Sequence, residues 1–217
     1  MKISSYQTAL IIPALLLSVV TALWLNGRYQ EIKTTTFEKN KTDTAAYIKS
    51  RASALLKPQD FADGNAAHQQ QVFRSFFANI QTPALNRIKV WDRNFTVIWS
   101  NLNEVIGQRY PDNQEVKEAL EGNVEYEIGK EKLEHFSERQ FVELSETYVP
   151  IPDTNENIVG VIEVYQSTIA LHEDINARFQ KLTLQVSVLV LIIYSLLALL
   201  ARQILQAKAV SIRDNPI

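Results

Sequence analysis

The sequence contains no cysteine, only six glycines, three histidines and a single methionine in 217 residues. The lack of cysteine excludes disulfides, thiolate metal sites and cysteine nucleophiles. The motifs G-x-S-x-G, G-x-x-x-x-G-K-[ST], H-E-x-x-H and G-x-G-x-x-G are all missing. His68, His135 and His172 are far apart and have no metal-ligand spacing. We therefore expect no catalytic residue, no metal ligand set and no cofactor in this chain.

The chain also lacks a strong charge of one sign, since its formal net charge is −2. A value this close to zero argues against nucleic-acid binding. The charge is nevertheless unevenly placed. Positions 26–181 hold 18 Lys or Arg and 23 Asp or Glu, whereas the flanks carry Lys2, Arg202, Lys208 and Arg213 against Asp214 alone. By the positive-inside rule, both ends lie in the cytoplasm and the region between the ends lies on the other side of the membrane.

Two long apolar runs are present, at 9–25 and 182–201. Both contain no charged residue and are long enough for transmembrane helices, the first only just. No A-x-A cleavage site follows the first run, which favours an anchor over a cleaved signal peptide. We expect a cytoplasmic tail at 1–8, an extracytoplasmic domain at 26–181 with its core at 58–167, and a cytoplasmic tail at 202–217.

The region between the runs changes from helical to strand periodicity near Arg87. A helix from Gly27 to Leu56 and an amphipathic helix around 72–80 come first. The later elements follow in order: a hairpin at 88–90 and 97–99, a helix at 113–120, strands at 124–128, 141–149 and 158–165, and a helix at 168–213. Pro150 to Asp153 and Asn155 to Asn157 are expected to form the last turn. The order predicts an α+β fold with an antiparallel sheet of about five strands.

Four stretches carry a resemblance to a known family: RIKVWDRNFTVIWSN, IGQRYPDNQEVKEALEGN, ETYVPI and NIVGVIEVYQS. In this order they resemble the PAS-like extracytoplasmic sensor domain, also called the Cache or PDC domain. Such domains stand at the N-termini of bacterial sensor histidine kinases, diguanylate cyclases and chemoreceptors. The family's hairpin often has glycine where this chain has Phe95, so Asn94, which tolerates positive φ, is expected to carry the turn alone.

The resemblance implies a sensor module of a bacterial signal-transduction receptor, with no enzymatic activity in this chain. The domain would lie in the periplasm, between two spans of the inner membrane, and would form a homodimer or bind another membrane protein. Ligand binding would be relayed through the second transmembrane helix, because no Gly or Pro interrupts residues 161–215. A helix over 168–213 would be about 70 Å long at about 1.5 Å per residue.

In the family, ligands bind on one face of the sheet. The residues at the matching positions are Trp99, Arg109, Tyr110, His135, Arg139 and Tyr148. Two arginines with aromatic neighbours suit a small carboxylate, because a guanidinium pairs with it through two hydrogen bonds. Surface arginines and core aromatics are the competing interpretation of the same residues.

Ten acidic residues between 124 and 163 allow a second kind of ligand, a divalent cation, since such ions prefer oxygen ligands. The D-x-[DN]-x-[DN]-G loop is missing, so a solvated acidic face is the simpler interpretation. The whole chain also has an alternative function. It could be a stand-alone membrane subunit whose Cache-like domain is a docking surface in a larger envelope complex and binds no ligand.

Overall fold

The computed structural model describes residues 5–62, 65–128 and 144–214. Four helices and five strands lie within these ranges. They are α1 (Ser5–Leu55), α2 (Ala66–Ile80), β1 (Leu85–Trp91), β2 (Val97–Ser100), α3 (Gln114–Leu120), β3 (Glu125–Ile128), β4 (Leu144–Pro152), β5 (Ile158–Ser167) and α4 (Ile169–Asp214). Short 3-10 turns occur at Pro58–Phe61 and Asn103–Val105. The order of elements is the one that the periodicity predicted.

The five strands form one antiparallel sheet in the order β2-β1-β5-β4-β3. The strands at the centre are β1, β5 and β4, whereas β2 and β3 lie at the edges. The predicted fold class is therefore confirmed: an α+β, PAS-like sheet of five strands with a long N-terminal helix. The central position of β5 matters for function, because α4 follows it after a single residue, Thr168.

One face of the sheet packs against α1 and α2. The aromatic stripe of α2 is buried here, as its helical spacing predicted, with Phe73 and Phe76 almost fully enclosed. Ile48 and Ala52 of α1 pack into the same cluster. Burial of such side chains stabilises the fold by about 1.5–3 kcal/mol each for the larger ones. This apolar layer is the main core of the domain.

The opposite face packs against α3. A second, smaller cluster joins Val116 and Ala119 of α3 to Trp91, Tyr148 and Val161 of the sheet. Asn113 begins this helix, because its side chain accepts a hydrogen bond of 2.8 Å from the backbone N–H of Val116. Both faces of the sheet are therefore covered, and charged residues on its central strands are removed from water.

The predicted turn at Pro150 to Asp153 is wrong in part, because β4 continues through Pro152. Proline lacks an N–H and is normally confined to strand edges. β3 pairs with β4 only from Ser145 to Tyr148. On the edge of β4 that faces β3, no described strand pairs with the residues beyond Tyr148. The missing N–H of Pro150 therefore costs no hydrogen bond to β3. The turn itself is formed by residues 153–157.

The hairpin between β1 and β2 also differs from the prediction. Phe95, not Asn94, has the positive φ, at 63°. The carboxylate of Asp92 accepts hydrogen bonds from the N–H groups of Asn94 and Thr96, both at 2.8 Å. These two bonds fix the turn on either side of Phe95, and its ring packs partly against the second cluster. Tertiary contact and the Asp92 side chain thus overcome the preference for glycine at this position.

The chain divides into two compact units, residues 35–172 and the pair of segments 1–34 and 173–217. The helical segments of the second unit include the two apolar runs. Two helices are long and apolar enough to cross a membrane, and their apolar side chains are exposed. Within this unit the hydroxyl of Tyr194 donates to the carbonyl of Ala14 at 2.8 Å and lies 2.8 Å from the hydroxyl of Ser18. The ring of Tyr29 also contacts that of Phe179, with centroids 5.0 Å apart.

Candidate functional site: a buried polar network on the sheet

The face of the sheet under α3 carries two rows of polar side chains, which we call the polar rows. Strand register defines them. The first runs Lys89–Glu163–Tyr148–Glu125 and the second Arg87–Tyr165–Glu146–Glu127, each across β1, β5, β4 and β3. Residues two apart on a strand share a face, and neighbours across strands have Cβ atoms about 4.5–5.5 Å apart. The register therefore brings together side chains that are distant in sequence.

At the centre of the polar rows lies a buried ion pair. The ammonium of Lys89 is 3.6 Å from a carboxylate oxygen of Glu163 and donates a hydrogen bond of 2.6 Å to the hydroxyl of Tyr165. The other oxygen of Glu163 accepts a hydrogen bond of 2.7 Å from the indole N–H of Trp91. Lys89 is 4% exposed and Glu163 is fully buried. Removing charged groups from water is costly, so such a pair persists only where its partners are held in place.

Tyr148 and Glu146 extend the network toward β3. The hydroxyl of Tyr148 donates to Glu146 at 2.8 Å, and both side chains are buried. Burial raises the pKa of Tyr148 well above its usual value, and the negative charges of Glu163 and Glu146 raise it further. Tyr148 is therefore a hydrogen-bond donor and not an anion at neutral pH.

The edge of the network is acidic as well. Burial and the neighbouring carboxylate of Glu118 raise the pKa of Glu125. Glu118 belongs to α3, which packs against β3, β4 and β5. Among the described residues, the buried charges in the centre are the ammonium of Lys89 and the carboxylates of Glu146 and Glu163.

The predicted ligand residues occupy different parts of the domain. Tyr148 lies in the polar rows, and Tyr110 packs beside them, with its ring centroid 5.7 Å from that of Trp91. Arg109 is exposed and donates to the backbone carbonyl of Asn94 at 2.8 Å. His135 and Arg139 lie outside the described residues. The structure thus brings together only Tyr110 and Tyr148, and their ligand-binding role stays a prediction.

Trp99 lies on the opposite face of the sheet, in the main core. A register shift between β1 and β2 places Trp99 and Val97 on opposite faces of the sheet, with Val97 on the α3 side. Its ring packs near those of Phe73 and Phe77, and its indole N–H donates to Gln70 at 3.2 Å. Its position is that of a core residue, as the competing interpretation of the aromatics held.

Three of the central residues, Lys89, Glu146 and Glu163, were not among the predicted site residues. Glu146 and Glu163 were counted in a solvated acidic face, and that interpretation is wrong for these two because both side chains are buried. Glu156 of the same group is exposed and Asp153 is partly buried. The sequence signal was misleading, because charged and aromatic residues alternate with apolar ones in β1 and β5, as in strands with one face in water. Among the described residues no cluster of three or more His, Asp or Glu could hold a metal ion.

Comparison with known proteins gives structural neighbours only. No family model and no curated protein matches the sequence. An extracellular ligand-binding receptor from Desulfohalobium retbaense is similar over 64% of this chain and 25% of its own, at 14% identity and a TM-score of 0.43. The sensor domain of DcuS from Escherichia coli is similar over 61% of this chain and 98% of its own, at 19% identity and a TM-score of 0.37. The extracellular domain of a histidine kinase, rpHK1S-Z16, is similar over 72% of this chain and 61% of its own, at 11% identity and a TM-score of 0.42.

The three neighbours are thus an extracellular ligand-binding receptor, a sensor domain and the extracellular domain of a histidine kinase. This chain matches about a quarter of the Desulfohalobium receptor. The class of the protein is defined by its own sheet order and helices: an α+β domain with a PAS-like five-stranded sheet, joined to two apolar helices. More particularly, it is a PAS-like domain whose α3 face holds a buried Lys89–Glu163 pair.

Proposed function

We propose that this protein is the extracytoplasmic sensor module of a bacterial signal-transduction receptor. It is held in the inner membrane by 9–25 and 182–201, with the domain in the periplasm and no catalytic activity of its own. One observation carries the proposal. Glu163 and Tyr165, which form the centre of the polar rows, belong to β5, and α4 with the second apolar run follows β5 after one residue. A ligand that rearranges these side chains acts on the strand that continues into the membrane helix.

The proposed ligand class rests on the aromatic rings of the site. The two arginines favoured a small carboxylate, but Arg109 is exposed and bound to a backbone carbonyl. The rings of Trp91 and Tyr110 lie together on the α3 side of the sheet, with centroids 5.7 Å apart. Aromatic rings attract ammonium groups through cation–π interactions, and a carboxylate such as that of Glu146 accepts hydrogen bonds from them. We expect small amines or amino acids to bind more tightly than simple carboxylates or divalent ions.

The signal is proposed to leave the domain as a displacement of α4 and to reach a cytoplasmic output module of a two-component or related system. A homodimer is the proposed assembly. A ligand shifts the equilibrium between two states only by its difference in affinity for them. About 1.4 kcal/mol of such difference changes the ratio of states tenfold.

Thermal unfolding of the full chain in lipid nanodiscs tests the proposal. A compound present at about 100 times its Kd stabilises the protein by about 2.7 kcal/mol. We expect amines or amino acids to raise the melting temperature, and Glu146→Gln to remove this effect. Glu38→Gln, which changes an exposed carboxylate of α1, is the matched control and should keep it.

The alternative function makes the opposite prediction. If no amine, amino acid, carboxylate or divalent ion shifts the melting temperature, while the full chain purifies in a stable complex with other envelope proteins, the sensor proposal is wrong. The domain then serves as a docking surface.

A further inference from the structure

A cleft of about 300 Å³ lies on the other side of the sheet from the polar rows, at the end of α1. Its floor is apolar and consists of Leu56, Phe61, Ile151 and Val159. Leu56, Phe61 and Ile151 are buried in the main core. Its volume is at the lower end of the range for small-molecule sites, about 300–1,000 Å³. The cleft is thus large enough for a compact apolar group.

The wall formed by the 3-10 turn is fixed before any ligand arrives. The buried carboxylate of Asp60 accepts a hydrogen bond of 2.7 Å from the N–H of Lys57 and lies 3.0 Å from a ring nitrogen of His68. The side chain of Gln69 donates to the carbonyls of Asp60 and Ala62, at 3.1 and 2.9 Å. These bonds hold Phe61 at the cleft without help from a ligand, which lowers the entropic cost of binding.

Gly160 of β5 permits the close approach of Phe61 to the sheet. A Cβ atom at this position would lie 2.4 Å from Cδ1 of Phe61 and 2.5 Å from the carbonyl oxygen of Trp91. Both distances are far below van der Waals contact, and the carbonyl belongs to the neighbouring strand, which cannot move freely. The absence of a side chain at Gly160 therefore shapes the floor of the cleft.

Two lysines, Lys49 and Lys57, line the cleft. Among the described residues neither ammonium has an ion-pair partner within 4 Å. The acidic group nearest in sequence, Asp60, directs its oxygens to the backbone N–H of Lys57 and to His68. The positive charge at the cleft is thus available to a bound anion, above an apolar floor.

We propose that this cleft is a second binding site, which takes a small apolar carboxylate. The hydrocarbon or aromatic part lies on Phe61 and Leu56, and the carboxylate is bound by Lys49 and Lys57. The site is separate from the polar rows and does not depend on the function proposed for them.

Binding of 4-(trifluoromethyl)phenylacetate to the full chain in lipid nanodiscs tests this site by ¹⁹F line broadening, with empty nanodiscs as the blank. We expect saturable binding that becomes about tenfold weaker in Lys49→Gln/Lys57→Gln. Lys117→Gln, in α3, is the matched control and should bind as the unchanged chain does. The neutral amide of the same probe should also bind about tenfold more weakly. No saturable binding, or equal binding by the lysine variant or by the amide, overturns the proposal.

The lack of native cysteine allows a second measurement that locates the probe. Ser53→Cys places a single thiol in the cleft, and Ser75→Cys places one on the exposed side of α2. The probe should slow maleimide labelling at position 53 severalfold and leave position 75 unchanged. Equal slowing at both, or loss of probe binding in Glu163→Gln but not in the lysine variant, contradicts binding in this cleft.

Discussion

At the scale of single residues, the buried pair of Lys89 and Glu163 is the feature whose removal should matter most. Glu163→Gln leaves the ammonium of Lys89 buried without its nearest carboxylate, and breaking a buried pair from one side costs about 3–5 kcal/mol. We expect a loss of about 3 kcal/mol in the free energy of unfolding, measured by circular dichroism of the full chain in nanodiscs. A loss of unfolding free energy below about 1 kcal/mol would contradict a stabilising ion pair between Lys89 and Glu163.

The matched experiment is a double-mutant cycle. Lys89→Met/Glu163→Gln removes both charges, so it should lose less stability than the sum of the two single changes, by at least about 1 kcal/mol. Additive losses would contradict a direct interaction between the two side chains.

Tyr148 gives the chain a specific dependence on alkaline pH. An unfolded tyrosine loses its proton near pH 10, whereas burial and the adjacent carboxylates raise the pKa of folded Tyr148 well above that value. The unfolded state therefore binds fewer protons above about pH 10, and stability falls as pH rises through this range. Tyr148→Phe should reduce this fall while leaving the pH dependence below pH 9 unchanged. Tyr47→Phe, at an exposed tyrosine of α1, should keep the full alkaline loss.

Prediction from the sequence failed for charged residues that are buried in the fold. Lys89 and Glu163 alternate with apolar neighbours, which is the pattern of a strand with one face in water. Tertiary packing, which the local sequence does not show, removes that face from water. The ligand-binding role of Tyr110 and Tyr148 stays a prediction, and the charged centre depends on tertiary contact.

At the scale of secondary-structure elements, the β1–β2 hairpin depends on one carboxylate. Asp92 accepts hydrogen bonds from the N–H groups of Asn94 and Thr96 and so holds Phe95 at its positive φ. Asp92→Ala removes both bonds, and we expect a loss of about 1–2 kcal/mol in unfolding free energy. Asp92→Asn keeps one acceptor oxygen and should lose less. Equal losses for the two variants in thermal unfolding would contradict this role.

Most elements were predictable because their periodicity is strong. The helical spacing of apolar residues in α2 and their alternation in β5 predicted the ends of these elements to within a few residues. The exception is the start of α2. The errors fall where long-range structure decides. Pro150 is tolerated in β4 because β3 begins only at Glu125, opposite Tyr148, and the turn at Phe95 is fixed by Asp92 and by packing. Neither condition can be read from the local sequence.

At the scale of the whole molecule, a polar contact joins the two apolar helices. The hydroxyl of Tyr194 donates to the carbonyl of Ala14 and contacts the hydroxyl of Ser18, each at 2.8 Å. In a bilayer, apolar side chains give no hydrophobic preference for each other over lipid, so packing and such hydrogen bonds decide how helices pair. This contact should hold the two proposed spans in one arrangement, which any displacement of α4 has to change.

A double-mutant cycle of Ser18→Ala and Tyr194→Phe measures this contact. We expect a coupling free energy of about 0.6 kcal/mol, the average for hydrogen bonds between membrane helices, from reversible unfolding of the full chain in mixed micelles. Ser195→Ala is the matched control, because its hydroxyl bonds to Leu191 of its own helix at 2.8 Å and should not couple to Ser18. If Tyr194→Phe and Ser18→Ala prove additive, the hydroxyls do not act between the spans. A measured coupling would show that the two hydroxyls link the apolar helices.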